Sequence, residues 1–294
     1  VFPNAFRYEA PASLDEAIRL MTEHAYDAKV LAGGQSLLPM MKLRIAAPAV
    51  LIDLGGIGEL KGWRETEEGL RIGALTRHAD LERAAALYGR YPLLSRTARW
   101  IADPLVRNRG TIGGSLAHAD PGSDWGTAMI ALHAEVEAAG PEGSRRIPID
   151  DFFVDTFVTS LQEGELVTAV HVPAPSGPVA ARYMKLERKA GDFAIAGLAV
   201  HIVTDGDGRV AEAGIGICAC GPVPLRAAKA EAALVGRPLT SDTIAEASRL
   251  VPEDAEPADD LRGSSDYKRD LLRVFALRAL REIAEELEGR ASIA

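Results

Sequence analysis

Two glycine pairs constrain this chain more than any other feature. Lys29-Val30-Leu31-Ala32 reads as a short strand that runs straight into Gly33-Gly34-Gln35-Ser36, and Thr111-Ile112-Gly113-Gly114-Ser115 repeats the theme much later. Paired glycines tolerate positive φ and leave backbone N–H groups uncovered by side chains, so each run predicts a sharp turn with open amides. Around the first turn the order of elements is β-α-β-α-β. Arg7-Tyr8 opens it, and Ser13 can N-cap a helix because Glu16 stands in capping-box register. Ala17, Ile18, Leu20 and Met21 then supply an apolar stripe, and a second short helix is expected around Pro39 to Ile45 before the strand Val50-Leu51-Ile52-Asp53-Leu54. Strands joined through helices in this way pair in parallel. This first lobe is expected to end near Gly56.

From Leu60 the texture changes. Gly62 to Thr66 and Leu70 to Ala74 read as strands around the turn Glu67-Glu68-Gly69, and helices are expected through Leu93 to Ile101 and Asp124 to Ala134. Glu135 to Ala138 and Leu166 to Val172 read as further strands, so the middle lobe is α+β and mostly antiparallel. Pro173-Ala174-Pro175-Ser176-Gly177-Pro178 cannot continue a central strand or a helix and marks a boundary. Beyond it, Ala194 to Val203 and Val210 to Cys220 are strand candidates joined by Asp205-Gly206-Asp207-Gly208. Helices are expected at Leu225 to Leu234 and Asp266 to Leu287, and the acidic stretch Pro252 to Asp260 reads as a solvated loop. The domains are therefore 1–175, with subdomains of about 1–56 and 57–175, and 178–288.

A net charge of −9 and a pI near 5.3 argue against a nucleic-acid partner, which needs a basic face. No window approaches the roughly 20 apolar residues that span a bilayer, and Val1-Phe2-Pro3-Asn4 begins nothing like a signal sequence, so a cytoplasmic location is expected. Cys218 and Cys220 sit two apart in Gly214-Ile215-Gly216-Ile217-Cys218-Ala219-Cys220-Gly221. Strand alternation would put both thiols on one face, too few for a zinc or iron–sulfur site. None of the six histidines forms an H-E-x-x-H pair, and His118 reads as a loop residue, so no residue is assigned to a metal.

Close donors without bulk are what a dinucleotide's pyrophosphate needs, and both turns offer them, with hydroxyls of Ser36, Thr111 and Ser115 beside the amides. Either turn alone is equally readable as plain structure. The common nucleotide motifs are absent: no G-x-G-x-x-G opens a βαβ unit, and there is no G-x-x-x-x-G-K-[ST].

Ala32-Gly33-Gly34-Gln35-Ser36-Leu37-Leu38-Pro39 and the stretch from Arg107 through Thr111-Ile112-Gly113-Gly114-Ser115 to Pro121 resemble the two FAD signatures of one family. That family is the FAD-binding medium subunit of molybdenum hydroxylases, the aerobic carbon monoxide dehydrogenase and xanthine dehydrogenase group. The resemblance extends over the chain through Phe2-Pro3, Arg71-Ile72-Gly73-Ala74-Leu75-Thr76, Gly191-Asp192-Phe193-Ala194 and Ser264-Ser265-Asp266-Tyr267-Lys268. It implies an α+β fold: a two-subdomain FAD-binding domain of the PCMH type, followed by a small C-terminal domain of antiparallel sheet plus helices.

The same resemblance implies that the amides of Ala32, Gly33, Gly34, Gln35 and Ser36, with Leu37 beside them, and those of Thr111, Ile112, Gly113, Gly114 and Ser115 hold the pyrophosphate. Asp124 would accept a hydrogen bond from a cofactor hydroxyl, Lys185 would lie by the flavin's pyrimidine edge, and Phe193 with Asp192 by its ring system. A cation at that edge favours the reduced cofactor, and an aromatic side chain can cover the ring. From the residues alone, Lys185 is equally one charge of an amphipathic strand in Arg182 to Lys189 and Phe193 equally a core residue, whereas a plain helix N-cap is the lesser reading of Asp124. Many relatives of that family carry His where this chain has Gln35; Gln also occurs there, so noncovalent FAD binding is expected, and a histidine tether to the flavin at this position is ruled out.

The implied function is a flavin subunit that takes electrons from an iron–sulfur subunit and passes them to an external acceptor, with no catalytic residue of its own. Molybdopterin and 2Fe-2S clusters are expected on partner chains, a large molybdenum subunit and a small iron–sulfur subunit, assembled as a dimer of heterotrimers. Two alternatives stay open: a self-contained FAD-dependent oxidase or dehydrogenase, for which the stretch after Pro178 is small, and a cofactor-free interaction module.

Overall fold

A computed structural model describes residues 2–291; Val1, part of the opening stretch read above, lies outside them. The first lobe comprises β1 (Arg7–Glu9), α1 (Leu14–His24), β2 (Ala28–Leu31), α2 (Leu37–Lys42) and β3 (Val50–Asp53), and its strands form a parallel sheet in the order β1-β3-β2. Ser13 caps α1 as expected, its hydroxyl accepting from the Glu16 amide at 3.3 Å while Glu16 reaches back to the Ala12 amide at 2.9 Å. Ala17 and Leu20 of α1 pack with Val50 and Ile52 of β3 to make this lobe's core.

The middle lobe contains β4 (Trp63–Glu65), β5 (Gly69–Gly73), α3 (His78–Glu82), α4 (Pro92–Ala98), α5 (Pro104–Arg107), α6 (Ile112–His118) and α7 (Asp124–Ala131). It continues with β6 (Glu135–Gly140), β7 (Gly143–Pro148), α8 (Ile149–Phe152), the small hairpin β8 (Phe153–Asp155) and β9 (Val158–Thr159), and β10 (Leu166–Pro173). Its main sheet runs β4-β5-β10-β6-β7 and is antiparallel throughout.

After the proline-rich segment come β11 (Val179–Leu186), β12 (Ala196–Thr204), β13 (Val210–Cys218), β14 (Leu225–Arg226), α9 (Ala228–Leu234), α10 (Ser241–Leu250) and α11 (Ser265–Ala291). The four strands form one antiparallel sheet in chain order. β12 is buried at every position, because α9 and α11, with α10 packed on them, cover one face of the sheet while α4 and α7 of the middle lobe cover the other. Ala181, Tyr183 and Ala199 accordingly belong to the middle lobe's core, and Leu198, Val200 and Ile202 to the C-terminal one.

Three expectations need correction. Leu225-Arg226 is a strand, not the start of a helix, because it pairs with Gly216 and Ile217, and α9 begins only at Ala228. The acidic stretch is not simply solvated: Asp254 accepts from the Lys229 amide, Asp260 pairs with Lys268, and Ala255 is buried. The two cysteines do not share a face. β13 ends at Cys218, and Ala219 adopts the left-handed region at φ 59°, which breaks the alternation. Cys218 therefore stays beside Thr127 and Asp124, whereas Cys220 joins the C-terminal core.

Candidate functional site

The two glycine turns meet. A Cβ on Gly33 would overlap the carbonyl oxygen of Arg109 and lie 2.6 Å from Gly110 Cα, and one on Gly114 would lie 3.3 Å from Ala32 Cβ. Gly33 must thus be free of a side chain for the turns to meet backbone against backbone, while Gly114 faces the methyl group of Ala32. Gly34 adds a positive φ of 72°, which turns the chain from β2 into α2.

Their donors differ. Among the described residues, the amides of Gly33, Gly34, Gln35 and Ser36 find no protein acceptor, and this first turn lies at the surface. Gln35 only bridges its side chain to the Gly33 carbonyl at 3.1 Å, and Leu37 begins α2. In the second turn the amides are largely committed: Ile112 donates to Thr76 O at 3.1 Å, Gly113 to Ala74 O at 2.9 Å, Gly114 to Thr111 Oγ1 at 3.2 Å and Ser115 to Thr111 O at 3.0 Å. Thr111 is the N-cap of α6, and the bonds to Ala74 and Thr76 lock the turn onto the connection between β5 and α3. The symmetric pair of amide cradles expected from the sequence is therefore unequal. The first turn presents open donors, and the second is a buttress that leaves the Thr111 amide without an acceptor among the described residues and shares the Ser115 hydroxyl with Ser123.

From Ser115 a continuous chain of contacts leads to the remaining candidates. Its hydroxyl meets that of Ser123 at 3.1 Å, and Ser123 caps α7 by accepting from Gly126 N. Asp124 is thus the first residue of α7 and not its N-cap. Both Asp124 oxygens have protein partners: Tyr183 Oη donates to Oδ1 at 2.6 Å and Lys185 Nζ to Oδ2 at 3.1 Å. Lys185 also donates to the Trp100 carbonyl at 3.1 Å and lies 3.7 Å from Glu187 Oε2, a buried oxygen with no hydrogen-bond donor. Burial pushes the Asp124 carboxyl above the usual range, against the opposing pull of Lys185 and Tyr183. Burial, then the Asp124 charge, push the Tyr183 hydroxyl well above its ordinary value.

Phe193 is 52% exposed, so it is not a core residue. One edge of its ring lies beside Gly122, where a Cβ would come within 3.3 Å of Phe193 Cδ1. The structure thus gathers every sequence candidate into one run: turn, turn, the Ser115–Ser123 contact, then Asp124 with Lys185 and Gly122 with Phe193. His118 stands apart, its ring 5.1 Å from that of Phe157. The sequence reading missed Ser123, Tyr183, Glu187 and the Trp100 carbonyl. Tyr183 was detectable in principle beside Lys185, since alternate residues of a strand share a face, whereas Glu187 follows the end of β11.

Open amides on a glycine turn, buttressed by a second turn, are the kind of donors that an anionic group such as a diphosphate accepts. Residues 4–175 match the family "FAD binding domain in molybdopterin dehydrogenase" and residues 181–283 the "CO dehydrogenase flavoprotein C-terminal domain". The chain belongs to the FAD-binding medium subunits of the molybdenum hydroxylases. This medium subunit is 42% identical over 280 residues to the carbon monoxide dehydrogenase medium chain of Hydrogenophaga pseudoflava, covering 95% of this chain and 97% of that one. A solved structure of carbon monoxide dehydrogenase from the same organism matches it with a TM-score of 0.92 at 44% identity, over 96% of this chain and 98% of that one. Quinoline 2-oxidoreductase from Pseudomonas putida 86 matches the medium subunit with a TM-score of 0.90 at 33% identity, over 97% and 99% of the two chains.

Proposed function

We propose that this medium subunit seats the FAD pyrophosphate on the open amides of Gly33, Gly34, Gln35 and Ser36, flanked by Ala32 and Leu37. The Thr111 amide and Ser115 hydroxyl then close the seat, supported by Ile112, Gly113 and Gly114. Four adjacent amides with no acceptor, on a turn that glycine packing holds in place, are the observation that carries this reading. Farther along, Phe193 offers its exposed face to the ring system, and Lys185 approaches the pyrimidine edge. Asp124 contributes by fixing Lys185, and its second oxygen is held by Tyr183. Since both Asp124 oxygens already accept bonds, a cofactor hydroxyl would have to share one of them.

Bound FAD supplies the redox chemistry, taking electrons in and releasing them to an external acceptor. The chain's residues bind, orient and shield. The electrons would arrive from a small subunit carrying 2Fe-2S clusters, which in turn serves a large subunit with the molybdopterin cofactor, and the three chains would pair as a dimer of heterotrimers. Relatives named as medium or FAD-binding subunits of carbon monoxide, glyceraldehyde and xanthine dehydrogenases support this placement. The cytoplasm is the compartment that goes with it, where the free Cys218 and Cys220 stay reduced; no described helix is long and apolar enough to cross a membrane.

The division into 1–175, with subdomains of about 1–56 and 57–175, and 178–288 belongs to the same proposal. The turn out of β10 into β11 supports it, although the two parts share core residues across that turn.

Purification of the full chain tests the reading. Yellow protein that releases about one FAD per chain on denaturation, and copurifies with coexpressed molybdenum and iron–sulfur subunits, is the expected result. Colourless protein that ignores added FAD would refute it.

A further inference from the structure

Phe193 combines an exposed ring with a tightly held backbone. Its amide donates to Asp192 Oδ1 at 2.8 Å, and its carbonyl accepts from Arg262 Nη1 at 2.8 Å. The same Arg262 nitrogen reaches the Ala194 carbonyl at 3.2 Å, and Nη2 lies 3.6 Å from Asp192. An exposed apolar side chain needs no such anchoring for the fold's sake, since solitary surface apolar residues are ordinary. Fixing both peptide groups of one residue instead defines where its ring stands.

Arg262 is itself held. Its amide donates to Asp260 Oδ1 at 2.8 Å, and Asp260 pairs with Lys268 at 2.7 Å. Lys268 is buried in the first turns of α11 and donates to the Ala258 carbonyl at 2.9 Å. A rigid path therefore runs from the start of α11 through the 258–263 loop and a planar guanidinium to the backbone of Phe193. On the other side, Gly191, at φ 82°, lets the loop pass within 3.1 Å of Ala102, measured from the position of an added Cβ.

We propose that Arg262 is a positioning residue for the flavin site, acting through the Phe193 carbonyl to hold the ring in place beside Gly122. The C-terminal domain thereby shapes a cofactor seat whose phosphate donors all come from the first two lobes. Lysine cannot replace it fully, because a guanidinium's fixed fork spans two carbonyls and a carboxylate at once. This inference rests on the FAD reading above.

The test uses the full-length chain, stripped of flavin and titrated with FAD. R262A, R262K, F193A and the R262A/F193A double variant are compared for dissociation constant and for quenching of bound-flavin fluorescence. F193A and R262A should each weaken binding about two- to tenfold, the size of one lost aromatic stacking contact, and each should relieve quenching. The double variant should be no worse than the weaker single, because both changes remove one effect. R262K should fall between R262A and wild type, and carries the comparison if R262A folds poorly. Wild-type affinity and quenching in R262A, or losses that multiply in the double variant, would overturn the proposal. Wild-type protein that takes up no FAD would overturn the flavin reading itself, and this inference with it, whatever the variants do.

Discussion

Tyr183 donates its hydroxyl to Asp124 at 2.6 Å across 59 residues of sequence, while Lys185, on the same face of the strand, holds the other oxygen of that carboxylate. All three groups are buried, so each removal has a different expected effect. Tyr183→Phe leaves Asp124 one donor short and should destabilise the protein by about 1–3 kcal/mol. Lys185→Met strands the carboxylate without its cation and should cost about 3–5 kcal/mol, with uptake of a proton by Asp124. Urea unfolding of both variants at neutral pH checks the order, which a larger loss in Tyr183→Phe would contradict.

Gly33→Ala should separate the two turns, because the new methyl group meets the Arg109–Gly110 backbone, which cannot swing aside. The expected result is a loss of FAD affinity of at least about tenfold, or ~1.4 kcal/mol, with far-UV circular dichroism retained. Gly206→Ala, where an added Cβ meets nothing within 4 Å, is the matched control and should bind normally. Equal affinity in the two variants would show that contact between the turns is irrelevant to the cofactor.

Acid should destabilise the fold from an unusually high pH. His78 and His201 are buried, and burial pushes them down from 6.5 to about 3 and about 4. The unfolded chain takes up both protons as pH falls below 6.5, while the native state stays neutral there, so stability present above 6.5 is lost on acidification. Each histidine contributes up to ~1.4 kcal/mol per pH unit within its window. Glu137 adds a second loss between 4.5 and about 2: burial alone would raise it, but the bonds from Arg71, His171 and Thr168 outweigh that. His78→Gln preserves an acceptor for Trp125 Nε1, which donates to His78 Nδ1 at 2.9 Å. That variant should lose one proton's worth of slope below pH 6.5, as measured by denaturant melts across pH.

Neither thiol should react in the native protein. Burial pushes Cys218 and Cys220 up to about 12, so almost no thiolate exists near neutrality and neither sulfur is accessible. Alkylation should proceed only at the rate of unfolding, read by mass spectrometry against a urea-denatured sample. Fast labelling of native Cys218 would mean that the face of α7 against β13 opens.

Which parts of this protein were legible in advance follows from the range of the interactions involved. The capping box at Ser13, the β-α-β-α-β order of the first lobe and the glycine turns all stem from patterns within about a dozen residues, where φ preferences, caps and apolar period act directly, whereas the strand orders β1-β3-β2 and β4-β5-β10-β6-β7 join segments far apart in sequence and were not legible there. The motif order likewise pointed to the family and its cofactor.

Tertiary structure alone decided the partners. Which glycine turn keeps its amides free depends on whether Ala74 and Thr76 carbonyls lie opposite, and they do so only for the second. Asp124's commitment to Tyr183 and Lys185, the parting of Cys218 from Cys220 at Ala219, and the reach of Arg262 to Phe193 over 69 residues depend on surfaces brought together by packing. A short stretch of sequence encodes the conformation and polarity of its own backbone. The acceptor or counter-charge that a buried group meets is set by the assembled core, because only there is water excluded and an unpartnered polar atom costly.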